Sequence, residues 1–221
     1  MIKERITMKL PDGTVVNKRI PKQLLYDNLN INKALRRKFV DQINYIIWCN
    51  KIAESTVNVP VGKQVTEIQV FELVLNGESV DEDVLNVFDS GMPYHILFRL
   101  VCGERCKLKM AYKQPASGET DSFKVIKYYE TPWQDSEPEL SISGLTLDAI
   151  YESFIRQIAA DELSYRDGDT IQESVERDIR TKQIERQISS LQSKIRKEKQ
   201  LNKQVQLSTE LRKLRRELEE V

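Results

Sequence analysis

Residue types that support common catalytic chemistry are scarce in this sequence of 221 residues. Its one histidine is His95, so any Ser-His or Cys-His mechanism would have to use that side chain. The eight glycines are scattered, and none forms the glycine-rich loop that binds nucleotide phosphates. This scarcity favours a protein that is not an enzyme and that carries no cofactor.

Cysteine is also rare. Cys49, Cys102 and Cys106 are too few for a disulfide framework, and an odd number fits a reducing compartment. Cys102, Cys106 and the upstream His95 would supply three zinc ligands, but the tetrahedral set lacks a fourth ligand unless Cys49 approaches. We therefore expect free thiols and no metal site.

Long apolar runs are absent as well. No stretch approaches the roughly 18 consecutive apolar residues of a membrane-spanning helix. The N-terminal residues lack the apolar core of a secretory signal peptide. The sequence thus predicts a cytoplasmic protein without a membrane contact.

The composition is that of a folded chain with much exposed helix. Hydrophobic residues make up 40% and charged residues 31% of the sequence. The length suffices for one substantial core and an appendage. We predict an α+β globular domain over 1–166 and a helical arm over 167–221.

The formal net charge of zero hides a strong asymmetry. Residues 78–170 carry a net charge of −9, whereas residues 180–221 carry +6. Such a distribution permits docking of the arm on the globular domain, attraction to nucleic acid, or a solvated helix surface.

The N-terminal part of the globular domain is predicted to begin with a hairpin. A Pro-Asp-Gly turn at 11–13 joins extended segments over 6–10 and 14–20. Proline at position 21 is tolerated in a first helical turn, so a short helix is predicted over 21–29.

Two further helices are predicted from apolar spacing and from a cap. Apolar residues recur at three- and four-residue steps from Leu35 to Ile47, which predicts one long helix over 32–51. Ser79 and Glu82 have the spacing of a capping box, and we expect them to begin a second helix.

A mainly antiparallel sheet is expected to pack with these helices. Its segments are rich in β-branched and aromatic residues, or alternate between apolar and polar residues. The predicted strands cover 66–75, 95–101, 107–113 and 123–130, and an amphipathic helix covers 147–158.

The apolar residues of the arm fall into two series whose registers do not match. The first series alternates steps of four and three residues, as in a coiled coil. It consists of Ile184, Ile188, Leu191 and Ile195. The second begins at Leu207 and is out of phase with the first by two residues, which neither a stutter nor a stammer of the heptad produces.

Two arrangements of the arm satisfy this mismatch. The chain reverses within 199–206 and forms an antiparallel hairpin with both series inward, or it stays one straight helix whose series meet different partners. The hairpin is favoured because a lone, half-apolar helix is poorly stabilised without a packing surface. However, neither Gly nor Pro marks a bend.

Five short segments carry a family resemblance along nearly the whole chain. They are 46–48 (IIW), 67–71 (EIQVF), 93–98 (PYHILF), 111–113 (AYK) and 197–202 (KEKQLN) with Val205. In this order and spacing they resemble the bacterial and archaeal family called domain of unknown function 4391.

The resemblance implies an α+β domain with a helical C-terminus and no established activity. It also implies genes that often lie beside helicases and modification enzymes in mobile or defence islands. The arm departs from the family pattern at Gln206 and Ser208, where Glu and Asn are usual.

We therefore hypothesise a non-enzymatic accessory protein whose arm docks a helicase-type or other nucleic-acid-handling partner, or a second copy of the chain. The expected apolar anchors are Leu191, Ile195, Leu207, Leu211, Leu214 and Leu218. The basic residues expected to steer the encounter or to contact nucleic-acid phosphates are Lys194, Arg196, Lys197, Lys199, Lys203, Arg212, Lys213, Arg215 and Arg216.

The alternative hypothesis is a metal-dependent nuclease on the mid-chain sheet. Such a site needs acidic side chains and a lysine that converge on adjacent strands. Glu67, Glu72, Lys109 and Lys113 are the candidates. Glu67 and Glu72 are an odd number of positions apart on one strand, so they face opposite sides of the sheet.

Overall fold

The computed structural model describes residues 10–29, 31–116, 123–164, 166 and 168–220. The chain separates into two compact units, Met1–Ala160 and Asp161–Val221. We call them the N-terminal unit and the C-terminal unit. The sequence-based boundary between residues 166 and 167 lies six residues after this division.

Within the described residues, six strands of the N-terminal unit form one sheet, in the order of the chain. Neighbouring strands are antiparallel except β3 and β4, which are parallel. The strands are β1 (Val15–Ile20), β2 (Ile43–Ala53), β3 (Glu67–Leu75), β4 (His95–Cys102), β5 (Arg105–Pro115) and β6 (Phe123–Glu130). The mainly antiparallel α+β class and the strands predicted after residue 66 are confirmed.

Helices cover the sheet and form the C-terminal unit. In the described part of the chain they are α1 (Lys22–Asn28), α2 (Lys33–Gln42), α3 (Glu54–Val57), α4 (Glu82–Gly91), α5 (Leu147–Ala159), α6 (Ile171–Lys197) and α7 (Leu201–Glu220). None of these helices is both long enough and apolar enough to cross a bilayer. Residues 6–9 of the predicted N-terminal hairpin lie outside the described residues.

The prediction of one helix over 32–51 is wrong in its second half. Helix α2 ends at Gln42, and the chain continues directly into β2. A β-bulge follows Ile43, because Ile43 lies opposite Leu75 whereas Ile46 lies opposite Leu73. The extra residue places Ile43 and Ile46 on the same buried face although they are three positions apart. The bulge thus reproduces the spacing of a helix within a strand.

The capping box predicted for α4 is also wrong, although the helix and its end near Gly91 are confirmed. The N-cap is Asp81 instead of Ser79. The Asp81 backbone N–H donates to Oε1 of Gln42 at 2.8 Å, and its carboxylate pairs with Lys38 at 2.9 Å. Asp81 is therefore fixed by residues of α2, which local spacing does not reveal.

The hydrophobic core on one face of the sheet contains a cluster of phenylalanine rings among aliphatic side chains. Phe88 of α4 packs against Phe39 of α2 at a ring-centroid distance of 5.8 Å and against Phe98 of β4 at 5.6 Å. Helix α5 packs on β3, β5 and β6. There the Tyr151 hydroxyl donates to the Ala111 carbonyl at 2.9 Å. Burial on both sides explains why β3 and β4 are almost continuously apolar.

The C-terminal unit is a helical hairpin, as the mismatch of the two apolar series predicts. Helix α6 ends at Lys197 and α7 begins at Leu201. The helices are antiparallel, because Arg180 near the start of α6 pairs with Glu217 near the end of α7. The alternative of one straight helix is thereby excluded.

Candidate functional site in the helical hairpin

The two apolar series form the seam of the hairpin. Their members among the described residues are buried or half-buried and recur at three- and four-residue spacing. Leu191 is buried, with 6% of its surface exposed. The half-buried members are Ile188, Ile195, Leu207, Leu211, Leu214 and Leu218. The six predicted anchors thus stabilise the hairpin itself, and only part of their surface remains open.

Two apolar side chains of the hairpin lie outside the seam. Leu201 is 73% exposed and Val205 is 58% exposed. They are four positions apart at the start of α7, so they are neighbours on the same side of the helix. Because an α-helix turns by about 100° per residue, Leu201 and Val205 lie roughly a quarter of a turn or more around the helix from the seam residue Leu211. We call Leu201 and Val205 the tip pair.

The sequence-based anchors did not include the tip pair. Both residues are out of register with the second seam, and an isolated pair gives no periodic signal. The family segments contain Leu201 and Val205, but a resemblance alone assigns no role to them.

The chain reverses between α6 and α7 without glycine or proline. Glu198 leaves the helix with φ −74° and ψ 131°, an extended backbone conformation that every residue type adopts without strain. Its carboxylate accepts the backbone N–H groups of Lys199 and Gln200, both at 2.9 Å. The Gln204 side chain donates to the Glu198 carbonyl at 2.6 Å. Glu198 thus satisfies backbone donors at the start of α7, as an N-cap does.

Nine basic residues lie on the last part of α6, at the reversal and along α7. All are exposed, and within the described residues none forms an ion pair with a carboxylate. They are Lys194, Arg196, Lys197, Lys199, Lys203, Arg212, Lys213, Arg215 and Arg216. We call residues 194–216, which contain all nine, the basic segment.

The side chains considered above as zinc ligands make other contacts. His95 is buried, and its ring packs edge-on against Tyr151 at 4.3 Å and Phe123 at 4.8 Å. The Cys106 thiol donates to the Ser136 carbonyl at 3.4 Å, and burial raises its pKa. A raised pKa disfavours the thiolate that metals require. Among the described residues, no three His, Cys, Asp or Glu side chains are placed to hold a metal.

The carboxylates and lysines of the nuclease hypothesis do not converge either. Glu72 pairs with Arg99 at 2.5 Å on the neighbouring strand. Arg99 lies opposite Leu108, and Lys109 lies opposite Phe98. Because successive side chains of a strand point to opposite faces, Lys109 projects from the face of the sheet that does not carry Arg99 and Glu72.

The remaining nuclease candidates have ion-pair partners. Glu67 pairs with Lys51 at 2.6 Å. Lys113 pairs with Asp89 of α4 at 3.0 Å, and both side chains are fully buried. Burial lowers the pKa of Lys113 and raises that of Asp89, while the attraction between them opposes both shifts. These contacts hold the N-terminal unit together.

Comparison with known proteins gives one match. The family model described as "Domain of unknown function (DUF4391)" matches residues 8–218, nearly the whole chain. No curated protein matches the chain, and no solved structure matches it.

Proposed function

Because the chain belongs to this family, DUF4391, whose description gives no function, we propose one from its own geometry. The protein is a non-enzymatic accessory protein whose helical hairpin docks a helicase-type or other nucleic-acid-handling enzyme. The setting we propose is a bacterial defence or mobile-element system, as the resemblance to the family implies.

The observation that carries this proposal is the exposure of the tip pair. Leu201 and Val205 present adjacent apolar surfaces at the reversal of the hairpin. Burial of a Leu or Val side chain is favourable by about 1.5 to 3 kcal/mol each. A partner with a matching apolar groove would therefore gain affinity from these two residues.

The charge around the tip pair indicates the chemistry of the partner surface. Lys199 and Lys203 lie within two residues of Leu201 and are exposed. A groove bordered by carboxylates would complement them and accelerate association. Helix-in-groove recognition uses anchors at such four-residue spacing.

The half-buried seam has a supporting role in this proposal. Its residues hold α7 against α6 and thereby fix the direction in which the tip pair points. Replacement of a seam residue would disturb docking only through the hairpin, whereas replacement of the tip pair would remove the contact itself.

Affinity purification from cells that naturally carry the gene tests the proposal. The tagged full chain is recovered after nuclease treatment, which removes partners bridged by nucleic acid, and bound proteins are identified by mass spectrometry. We expect the wild-type chain to retain a nucleic-acid-handling enzyme and the Leu201→Gln/Val205→Gln variant to lose it.

A matched control is available in the N-terminal unit. Leu24 and Val40 are also exposed apolar residues on helices, so Leu24→Gln/Val40→Gln removes a similar surface. This control should retain the enzyme. If the wild-type chain retains no such enzyme, or if the tip-pair variant retains it fully, the proposal is wrong.

A further inference from the structure

We propose that the basic segment, residues 194–216, binds the phosphate backbone of double-stranded DNA directly and without sequence preference. DNA binding goes beyond docking of a protein partner, because its ligand is the phosphate backbone and it does not require the tip pair.

Positive charge is concentrated in the basic segment, which contains nine basic and two acidic residues, a net charge of +7. One of the two acidic residues, Glu198, already accepts two backbone N–H groups at the reversal. The reversal brings the end of α6 beside the start of α7, so the five basic residues of 194–203 lie near one another there. The four basic residues of 212–216 continue the positive charge along α7.

Like charges repel at Arg212, which has Arg215 and Arg216 but no carboxylate three or four positions away on α7. Arg212, Arg215 and Arg216 are related by three- and four-residue steps, at which like charges on a helix destabilise it. By contrast, Lys38 in the N-terminal unit pairs with Asp81 and Asp83 at 2.9 and 2.8 Å. Phosphates placed along α7 would relieve the repulsion and release their counterions.

The spacing of two arginines on α7 is close to the spacing of phosphates on DNA. Arg212 and Arg216 are four residues apart and therefore about 6 Å apart along the axis of α7. Phosphates of one DNA strand recur at roughly 3.4 Å of axial rise, so two nucleotides span a similar distance. The two guanidinium groups can thus contact phosphates of one strand together, and the planar guanidinium group binds phosphate in a bidentate manner.

The composition of the hairpin indicates duplex DNA in preference to a single strand. Residues 171–220 contain no Phe, Tyr or Trp. Single-strand binding relies on aromatic side chains on which bases stack. A surface that has cations but no aromatic side chains for base stacking contacts the phosphate backbone of DNA. A duplex presents this backbone continuously.

Fluorescence anisotropy with a labelled duplex of about 20 base pairs, titrated with the full chain at salt concentrations from roughly 50 to 200 mM, tests the inference. Wild-type affinity should fall steeply with salt. Arg212→Gln/Arg216→Gln should bind about tenfold more weakly at low salt, and the slope of log K against log salt should decrease in magnitude by about 2.

The control is Arg36→Gln/Arg37→Gln, which removes the same charge from exposed positions of α2. This variant should bind DNA like the wild type. Circular dichroism verifies that both variants keep their helices. Equal losses in the two variants would show a general charge effect and would overturn the inference, as would absence of wild-type binding at low salt.

Two further measurements distinguish DNA binding from docking of a protein and from binding to a membrane. The Leu201→Gln/Val205→Gln variant should keep wild-type DNA affinity although the proposed protein partner is lost. Vesicles containing phosphatidylserine serve as a second polyanionic surface. Binding to the vesicles without binding to the duplex would assign the charge to a membrane and contradict our proposal.

Discussion

Arg180 donates to the carboxylate of Glu217 at 2.7 Å, although 37 residues separate them in the sequence. The pair joins the start of α6 to the end of α7, as the antiparallel arrangement of the two helices requires. Both side chains are largely exposed, at 63% and 41%, so the ion pair itself contributes little to stability. The free energy that holds the hairpin together resides mainly in its seam.

This difference predicts unequal effects of two substitutions in the hairpin. Leu191→Ala should lower the free energy of unfolding of the hairpin by about 2 to 4 kcal/mol, because it removes a buried side chain. Glu217→Ala should cost less than about 1 kcal/mol. Amide hydrogen exchange of α6 and α7 measures both. A larger loss of protection for Glu217→Ala than for Leu191→Ala would contradict this assignment.

Glu198 gives the reversal a defined pH dependence. Hydrogen bonds from the backbone N–H groups of Gln200 and Lys199 lower the pKa of Glu198 below 4.5. The folded form is thus stabilised above the ordinary pKa of the carboxyl group, and this contribution is lost as the pH falls through the lowered value.

The amide chemical shifts of Lys199 and Gln200, followed by NMR during acid titration, should report this transition. Glu198→Gln is the control, because it keeps an acceptor oxygen and cannot titrate. The transition should be absent in this variant. The same midpoint in both proteins would show that another group causes the shift.

We predict that substitutions of the fully buried pair Lys113 and Asp89 have strongly non-additive effects on the free energy of unfolding. Lys113→Met should destabilise the N-terminal unit by about 3 to 5 kcal/mol, because the buried carboxylate of Asp89 loses its counter-charge. Lys113→Met/Asp89→Leu should recover part of this loss. Urea unfolding of the single and double variants completes the cycle. Additive effects would contradict the coupling.

His95 predicts lower stability at acidic pH. Burial, followed by the charge of Lys113, lowers the pKa of His95 from 6.5 to about 3. The unfolded chain therefore takes up a proton that the folded chain does not, and stability falls as the pH decreases from 6.5 toward 3.

Between pH values of about 7.5 and 5.5, this effect amounts to a loss of about 1.4 kcal/mol in the free energy of unfolding. Urea unfolding at the two pH values measures it. His95→Leu should show a smaller difference between them, because it cannot titrate. An equal difference in both proteins would exclude His95 as the cause.

Elements could be predicted from the sequence where the pattern that specifies them lies within the element itself. Strands β3, β5 and β6 could be predicted because alternation and β-branched residues act within each segment. Strand β2 could not, because the bulge after Ile43 imitates helical spacing. The N-cap of α4 depends on Gln42 and Lys38, which lie about 40 positions earlier.

In the hairpin, too, the reversal could be predicted from the sequence, whereas its cap and its exposed residues could not. The mismatch of two apolar series predicted a reversal, since a single rod cannot turn both toward one surface. The sequence did not show that the carboxylate of Glu198 would cap the reversal in place of a glycine. Nor did it distinguish seam residues from the tip pair, because exposure on α7 depends on which face α6 covers.

The order of the sheet bears on how the chain acquires its structure. Each described strand hydrogen-bonds to the strands that precede and follow it in the chain, including the parallel pair joined through α4. Contacts between sequence neighbours close short loops and favour rapid folding. The sheet can therefore grow one strand at a time during synthesis on the ribosome, before the C-terminal helices emerge.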